Sequence, residues 1–217
     1  MFIVIDWIDW AGKSTQLELL KIELEKSWKK VKVISYPQYW EKSCFYVEKY
    51  LNWWYGTNVS AKQASLFYAL DRFDSVAELK KDLSEYDYIL SDRYVSANMI
   101  HQWWKISNQQ ERQDFLDWVY DLEYNILQLP KPDMTVFLNI SVNASQNLIE
   151  WREDKDYIDS DTQKDIHEWD LDHLKSAKWV VNQVVEMQQN FEKVDCERDW
   201  KMLSREEILS KILGKIL

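Results

Sequence analysis

At 217 residues with a formal charge of −10, the chain suits one α/β domain with a sizeable core. It is too acidic for a general nucleic-acid or membrane-surface binder, because those partners are polyanions. No run reaches the roughly 18 apolar residues of a membrane span, and no basic region followed by a long apolar run opens the chain, so a cytoplasmic location is expected.

A first strand is predicted at residues 2–5, and it runs directly into Trp7-Ile8-Asp9-Trp10-Ala11-Gly12-Lys13-Ser14-Thr15. This stretch is a phosphate-binding loop, G-x-x-x-x-G-K-[ST], with tryptophan at its first glycine. In such a loop the backbone N–H groups curl around phosphates, the lysine reaches the outer phosphates and the serine hydroxyl holds Mg²⁺. An indole at position 7 blocks that curl, which needs positive φ and no side chain. The following helix, predicted at 13–26, adds its N-terminal N–H groups and dipole to the same site.

Tryptophan stands where glycine is expected elsewhere too. The chain has 13 Trp and 3 Gly, whereas an ordinary chain of this length has roughly fifteen glycines. Trp28 follows the predicted first helix, where a left-handed residue belongs. Trp53-Trp54 precede Tyr55-Gly56, and Trp103-Trp104 break the chain after a helical stretch. Bacteria that decode UGA as glycine would give this pattern if their genes were translated with UGA read as tryptophan. Most of the tryptophans are therefore expected to be glycine in the natural protein. Trp118 is set apart by an apolar helical stretch with Phe115, Leu116, Val119 and Leu122, and Trp179 and Trp200 are assigned to neither group.

Further strands are predicted at 31–35, 88–90, 134–140 and 191–194, and helices at 41–51, 61–83, 111–127, 143–150, 166–189 and 205–216. This alternation predicts an α/β fold, a five-stranded parallel sheet with helices on both faces. Ligands in such sheets bind outside the carboxyl ends of the strands. Cys44 and Cys196 show no metal-type spacing and suit a reducing compartment. His167, Glu168, Asp170 and His173 lack a metal-binding spacing and are expected on a surface helix.

Five pieces then fall in order along the chain: Asp9 in the loop, Tyr36-Pro37, Ala69-Leu70-Asp71-Arg72, Asp92-Arg93-Tyr94 and Leu129-Pro130-Lys131-Pro132-Asp133. Together they resemble the thymidylate kinase family, over nearly the whole chain. The resemblance implies a P-loop NTPase-type three-layer fold, a single nucleoside monophosphate kinase domain over residues 1–217, and a lid at about 150–160. It implies phosphoryl transfer from MgATP to dTMP, giving dTDP and ADP, in dTTP biosynthesis. It also implies a homodimer.

Glycine at positions 7 and 10 would restore the loop expected in the family. By resemblance, residues 7–15 hold ATP, Asp9 points toward the 3′-hydroxyl of the acceptor, and Tyr68 lies under the thymine, although core packing suits Tyr68 equally. Arg72 clamps the acceptor phosphate through two parallel hydrogen bonds. Ser14 holds Mg²⁺, Asp92 organises Mg²⁺ or the acceptor phosphate, and Arg93 neutralises the transferring phosphoryl. Asn98 and Gln102 read the pyrimidine edge, and Arg152, with Lys155 in reserve, supplies a lid cation. One departure is visible at Gln38, where many members carry an arginine for the acceptor phosphate. Two other readings stay open at this point: a deoxynucleoside kinase, which needs no phosphate clamp, and a catalytically inactive P-loop scaffold, which Trp7 and Trp10 as written would produce.

Overall fold

The computed structural model describes residues 1–6, 12–39, 41–141, 180–185, 190–199 and 201–216. The rest of the P-loop (7–11), the expected lid with Arg152 and Lys155, the helix expected at 143–150 and the His167–His173 group lie outside the described residues.

Five strands form one parallel sheet: β1 (Phe2–Asp6), β2 (Val31–Ser35), β3 (Tyr88–Asp92), β4 (Met134–Asn139) and β5 (Phe191–Asp195), in the order β2-β3-β1-β4-β5. Every residue of β1 is buried, as expected of a central parallel strand covered on both faces. This is why Phe2–Ile5 is a continuous apolar run rather than an alternating one. The helices are α1 (Lys13–Lys26), α2 (Phe45–Leu51), α3 (Ala61–Asp74), α4 (Val76–Glu85), α5 (Val95–His101), α6 (Gln109–Tyr120) and α7 (Arg205–Ile216), with a further helical run at 180–185. In α1 the buried positions Leu17, Leu20 and Leu24 follow the helical period and pack under the sheet.

The helix expected across 61–83 is two helices. Ser75 separates them: its hydroxyl donates to Arg72 O (3.1 Å) and meets the Tyr36 hydroxyl at 2.7 Å. A short polar side chain that bonds nearby backbone competes with helix continuation. The helix expected at 111–127 also changes character. After Tyr120 it widens into a π-helical turn (Asp121–Ile126), closed by Leu127 N–H to Leu122 O at 2.9 Å. Helix α5 is the helical stretch expected before Trp103, whereas the small hairpin of Glu197–Arg198 with Lys201–Met202 was not among the predicted elements.

The tryptophans fall into distinct environments. After α1, Trp28 N–H bonds Glu25 O (2.9 Å) and Lys29 N–H bonds Leu24 O (3.2 Å), with Trp28 at φ 59° and 96% exposed. After α2 the pattern repeats: Trp53 N–H to Tyr50 O (3.1 Å), Trp54 N–H to Lys49 O (3.0 Å), and Trp53 at φ 58°. Both are Schellman motifs whose left-handed position ordinarily belongs to glycine. Trp118, in contrast, stacks on Phe115 at 6.0 Å. Trp103 differs from its expected role as a chain-breaking glycine. It is buried, its indole N–H donates to Arg112 O (3.1 Å), and the Arg112 guanidinium lies 4.7 Å over its ring.

Cys44 and Cys196 are free and fully buried, and burial pushes each thiol up to about 12. Only the thiolate is reactive. Neither should react with a disulfide reagent such as DTNB at pH 8 in the native protein, and both should react once the protein is unfolded in guanidinium. Rapid native-state labelling of either would contradict the packing.

Candidate active site

Strands β1 and β3 are neighbours in register, Ile5 beside Asp92, so the segments leaving the two strands emerge at the same sheet edge. After β1 comes Gly12, at φ 76°, as the N-cap of α1, with its carbonyl accepting from Gln16 N–H at 3.0 Å. Positive φ is the property glycine supplies here. Lys13 is buried, Ser14 is exposed and Thr15 is half-buried. Trp7, Ile8, Asp9, Trp10 and Ala11 are outside the described residues.

After β3, Arg93 N–H bonds Ile5 O (3.1 Å) and Ser91 Oγ donates to Arg93 O (2.6 Å). Arg93 itself sits at φ 62°, a conformation non-glycine residues hold only when their surroundings impose it. The two bonds do so, and Arg93 is half-buried there. The third residue of this motif, Tyr94, is fully buried against Phe2 (5.0 Å) and Tyr36 (5.5 Å). It belongs to the core.

A cavity opens beside this edge. Tyr68 and Arg72 from α3, Arg93 from the β3–α5 turn, and Asn98 and Gln102 at α5 all line it. The structure thus brings together, from three separate segments, five residues that sequence reasoning had singled out. The end of β2 contributes Tyr36, Pro37 (after a cis peptide) and Tyr39, and α5 adds His101. Tyr39 and His101 were not anticipated, since nothing in their local sequence distinguishes a cavity-lining ring from a packed one.

Tyr68 is half-buried, edge-on to Tyr50 at 6.2 Å, with part of its surface on the cavity. Gln102 is 1% exposed, and its Oε1 has no hydrogen-bond partner among the described residues. Asp92 Oδ1 is likewise buried without one. A buried polar atom left unpaired is costly, and this arrangement suits atoms that a ligand or ion completes.

Arg72 requires a correction. The two parallel hydrogen bonds expected toward an acceptor phosphate go instead to Glu123: Nε to Oε2 at 2.6 Å and Nη2 to Oε1 at 2.7 Å. Both side chains are buried. Burial disfavours the guanidinium cation, but the charge and hydrogen bonds of Glu123 outweigh this and hold its pKa above the ordinary value. Only Nη1 remains outside the pair. Glu123 had no local signature; a single acidic residue in a helical stretch reads as surface until the fold buries it.

Gln38, where a cation was missing, is tied to α3. Its backbone N–H donates to Asp71 Oδ2 and its Nε2 to Asp71 O, both at 2.9 Å, while Ser43 Oγ donates to Asp71 Oδ1 at 2.7 Å. It holds the end of β2 against the helix that carries Tyr68 and Arg72. No group of three or more His, Cys, Asp or Glu positioned for a metal is found among the described residues.

The thymidylate kinase family model matches residues 5–199. A probable thymidylate kinase of Thermococcus gammatolerans is 30% identical over 221 residues, spanning 98% of this chain and 99% of that protein. Thymidylate kinase of Mycobacterium tuberculosis is 28% identical over 147 residues, 67% of this chain and 68% of its own. Among solved structures, thymidylate kinase from Candida albicans superposes with a TM-score of 0.73 at 19% identity, covering 99% of this chain and 90% of that one. This last likeness bears on the fold.

Proposed function

We propose residue roles from one premise: the chain belongs to the thymidylate kinase family, and so it transfers a phosphoryl group to dTMP to form dTDP. The family implies ATP as the donor. The observation that carries the assignment of roles is the convergence of Tyr68, Arg72, Arg93, Asn98 and Gln102 on one cavity, at the sheet edge where Gly12 and Lys13 begin α1.

Lys13 and the first N–H groups of α1 hold the donor phosphates, with the rest of loop 7–11 around them. Tyr68 supports the thymine ring, Asn98, Gln102 and Arg72 Nη1 meet its polar edge, and Asp9 faces the 3′-hydroxyl. Arg93, which lines the cavity, takes the acceptor phosphate and the transferring group. It does so more fully than a two-arginine scheme requires, because the Arg72 fork is occupied. Arg152 supplies the lid cation.

Hard oxygen donors suit Mg²⁺, and the exposed Ser14 hydroxyl and the unpaired Asp92 Oδ1 are such donors. Bound there, Mg²⁺ would neutralise charge on the donor phosphates. The acceptor phosphate is already an anion, so no strong general base is needed; positioning and charge compensation carry the reaction.

Leu66, Leu70 and Phe73 on α3 are 40%, 47% and 44% exposed. Their spacing makes one apolar stripe, and a homodimer would cover it with a second copy. Two free thiols and nucleotide substrates accord with a cytoplasmic location.

The test is ADP release with dTMP or thymidine as acceptor, using protein with glycine at positions 7 and 10. Release should depend on dTMP and be absent with thymidine. The reverse preference would support phosphorylation of a 5′-hydroxyl instead, which the comparisons do not favour.

A further inference from the structure

We propose that Glu123 is a positioning residue that fixes the hydrogen-bonding polarity of the acceptor cavity, and with it the preference for a pyrimidine bearing N3–H over one with a bare N3. This rests on the reading of the cavity as the dTMP site.

The carboxylate of Glu123 is fully buried and accepts three hydrogen bonds from two cavity-lining side chains. Arg72 supplies two, at 2.6 and 2.7 Å, and Asn98 Nδ2 donates to Oε1 at 2.8 Å. The π-helical turn that carries Glu123 contains one residue more than an α-turn. Such insertions re-aim side chains.

A primary amide has no intrinsic polarity, because its oxygen and nitrogen exchange on a flip. Here the flip is forbidden. Asn98 Nδ2 lies between Glu123 Oε1 and Ser65 O (3.1 Å), so the reversed amide would set its oxygen against two acceptors. With Nδ2 committed to those two acceptors, Asn98 has an acceptor, Oδ1, left for the cavity it lines. Arg72 is fixed by the same carboxylate, and the nitrogen it has left is Nη1, a donor. The cavity therefore offers one acceptor and one donor at set places. Thymine has N3–H beside a carbonyl and complements that pair. Cytosine has a bare N3 beside an amino group and meets acceptor with acceptor and donor with donor.

Glutamine at 123 cannot reproduce this. Whichever way it is turned, its NH2 meets a donor of Arg72, which frees the guanidinium, and with the NH2 in the place of Oε1 it also meets Asn98 Nδ2, so that the flipped Asn98 amide becomes the favoured one. Equilibrium binding of dTMP and dCMP to the full chain, by calorimetry without ATP, isolates the acceptor cavity from the P-loop. Wild-type protein should favour dTMP, and Glu123→Gln should lower the dTMP-to-dCMP ratio at least about tenfold. Glu123→Asp, which keeps the charge on a shorter arm, should fall between them. A cooperatively folded Glu123→Gln variant that keeps the wild-type ratio would overturn the proposal. Wild-type protein with no preference for dTMP would instead overturn the reading of the cavity itself. Should Glu123→Gln not fold, the Arg72 Nε–H of ligand-free wild-type protein decides. Slow solvent exchange in nitrogen-15 spectra is the expected result, and fast exchange defeats the proposal.

Discussion

Replacing Trp7 and Trp10 together by glycine is expected to raise dTMP-dependent ADP release by at least ~10³-fold over the chain as written, and to create measurable ATP binding. Removing a single preorganised donor from a charged transition state costs on the order of 10²–10³ in rate. An indole at the first loop glycine removes several at once, since it prevents the backbone from curving around the phosphates. Support for glycine at such positions comes from elsewhere in the fold. Trp28 and Trp53 occupy the left-handed position of two Schellman motifs, at φ 59° and 58°, where an L-residue costs roughly 1–2 kcal/mol and glycine nothing comparable. We propose that these positions, like 7 and 10, are glycine in the natural protein. Trp118 and Trp103 are packed as tryptophan would be. The measurement is calorimetric ATP binding and the coupled kinase assay on both forms, with peptide mapping of protein from its native source over the segment containing Lys13. Full activity of the tryptophan form, or tryptophan at position 7 in the native peptide, would end the recoding explanation.

Arg72→Ala is expected to destabilise the fold by about 3–5 kcal/mol, the cost of leaving a buried carboxylate without its cation. Glu123 would then be surrounded by core with only Asn98 to bond it. Domains have only about 5–15 kcal/mol of stability, so the melting temperature should drop by roughly 10 °C or more for a chain of this size. The double variant Arg72→Met with Glu123→Leu should recover most of that loss, because apolar groups of similar volume can replace a buried ion pair at little net cost. It should not recover dTMP binding. Chemical denaturation of the three proteins, with dTMP calorimetry on the double variant, checks both statements. If Arg72→Ala unfolds at wild-type denaturant concentrations, the pair is not buried as described. If the double variant binds dTMP normally, Arg72 does not serve the base edge.

The strands and the flanking helices were legible because their causes are local. A buried parallel strand is apolar over most of its length, as Phe2–Ile5 are in β1, and a helix covering it must repeat its apolar positions as α1 does with Leu17, Leu20 and Leu24. The helices expected at 13–26 and 205–216 match α1 and α7 in the structure. Where a non-local contact decided the outcome, local pattern misled. The break at Ser75 involves a hydroxyl partner, Tyr36, from the end of β2, and the π-helical turn places Glu123 against Arg72, 51 residues away.

The same division runs through the site. The sequence by itself determined a P-loop α/β kinase and the segments that meet at the cavity, because backbone geometry and short motifs act over a few residues. Only the tertiary structure decided what Arg72 does. The guanidinium fork suits a phosphate and a carboxylate equally well, and Glu123, brought in by the packing of the turn after α6 against α3 and α5, is the carboxylate it finds.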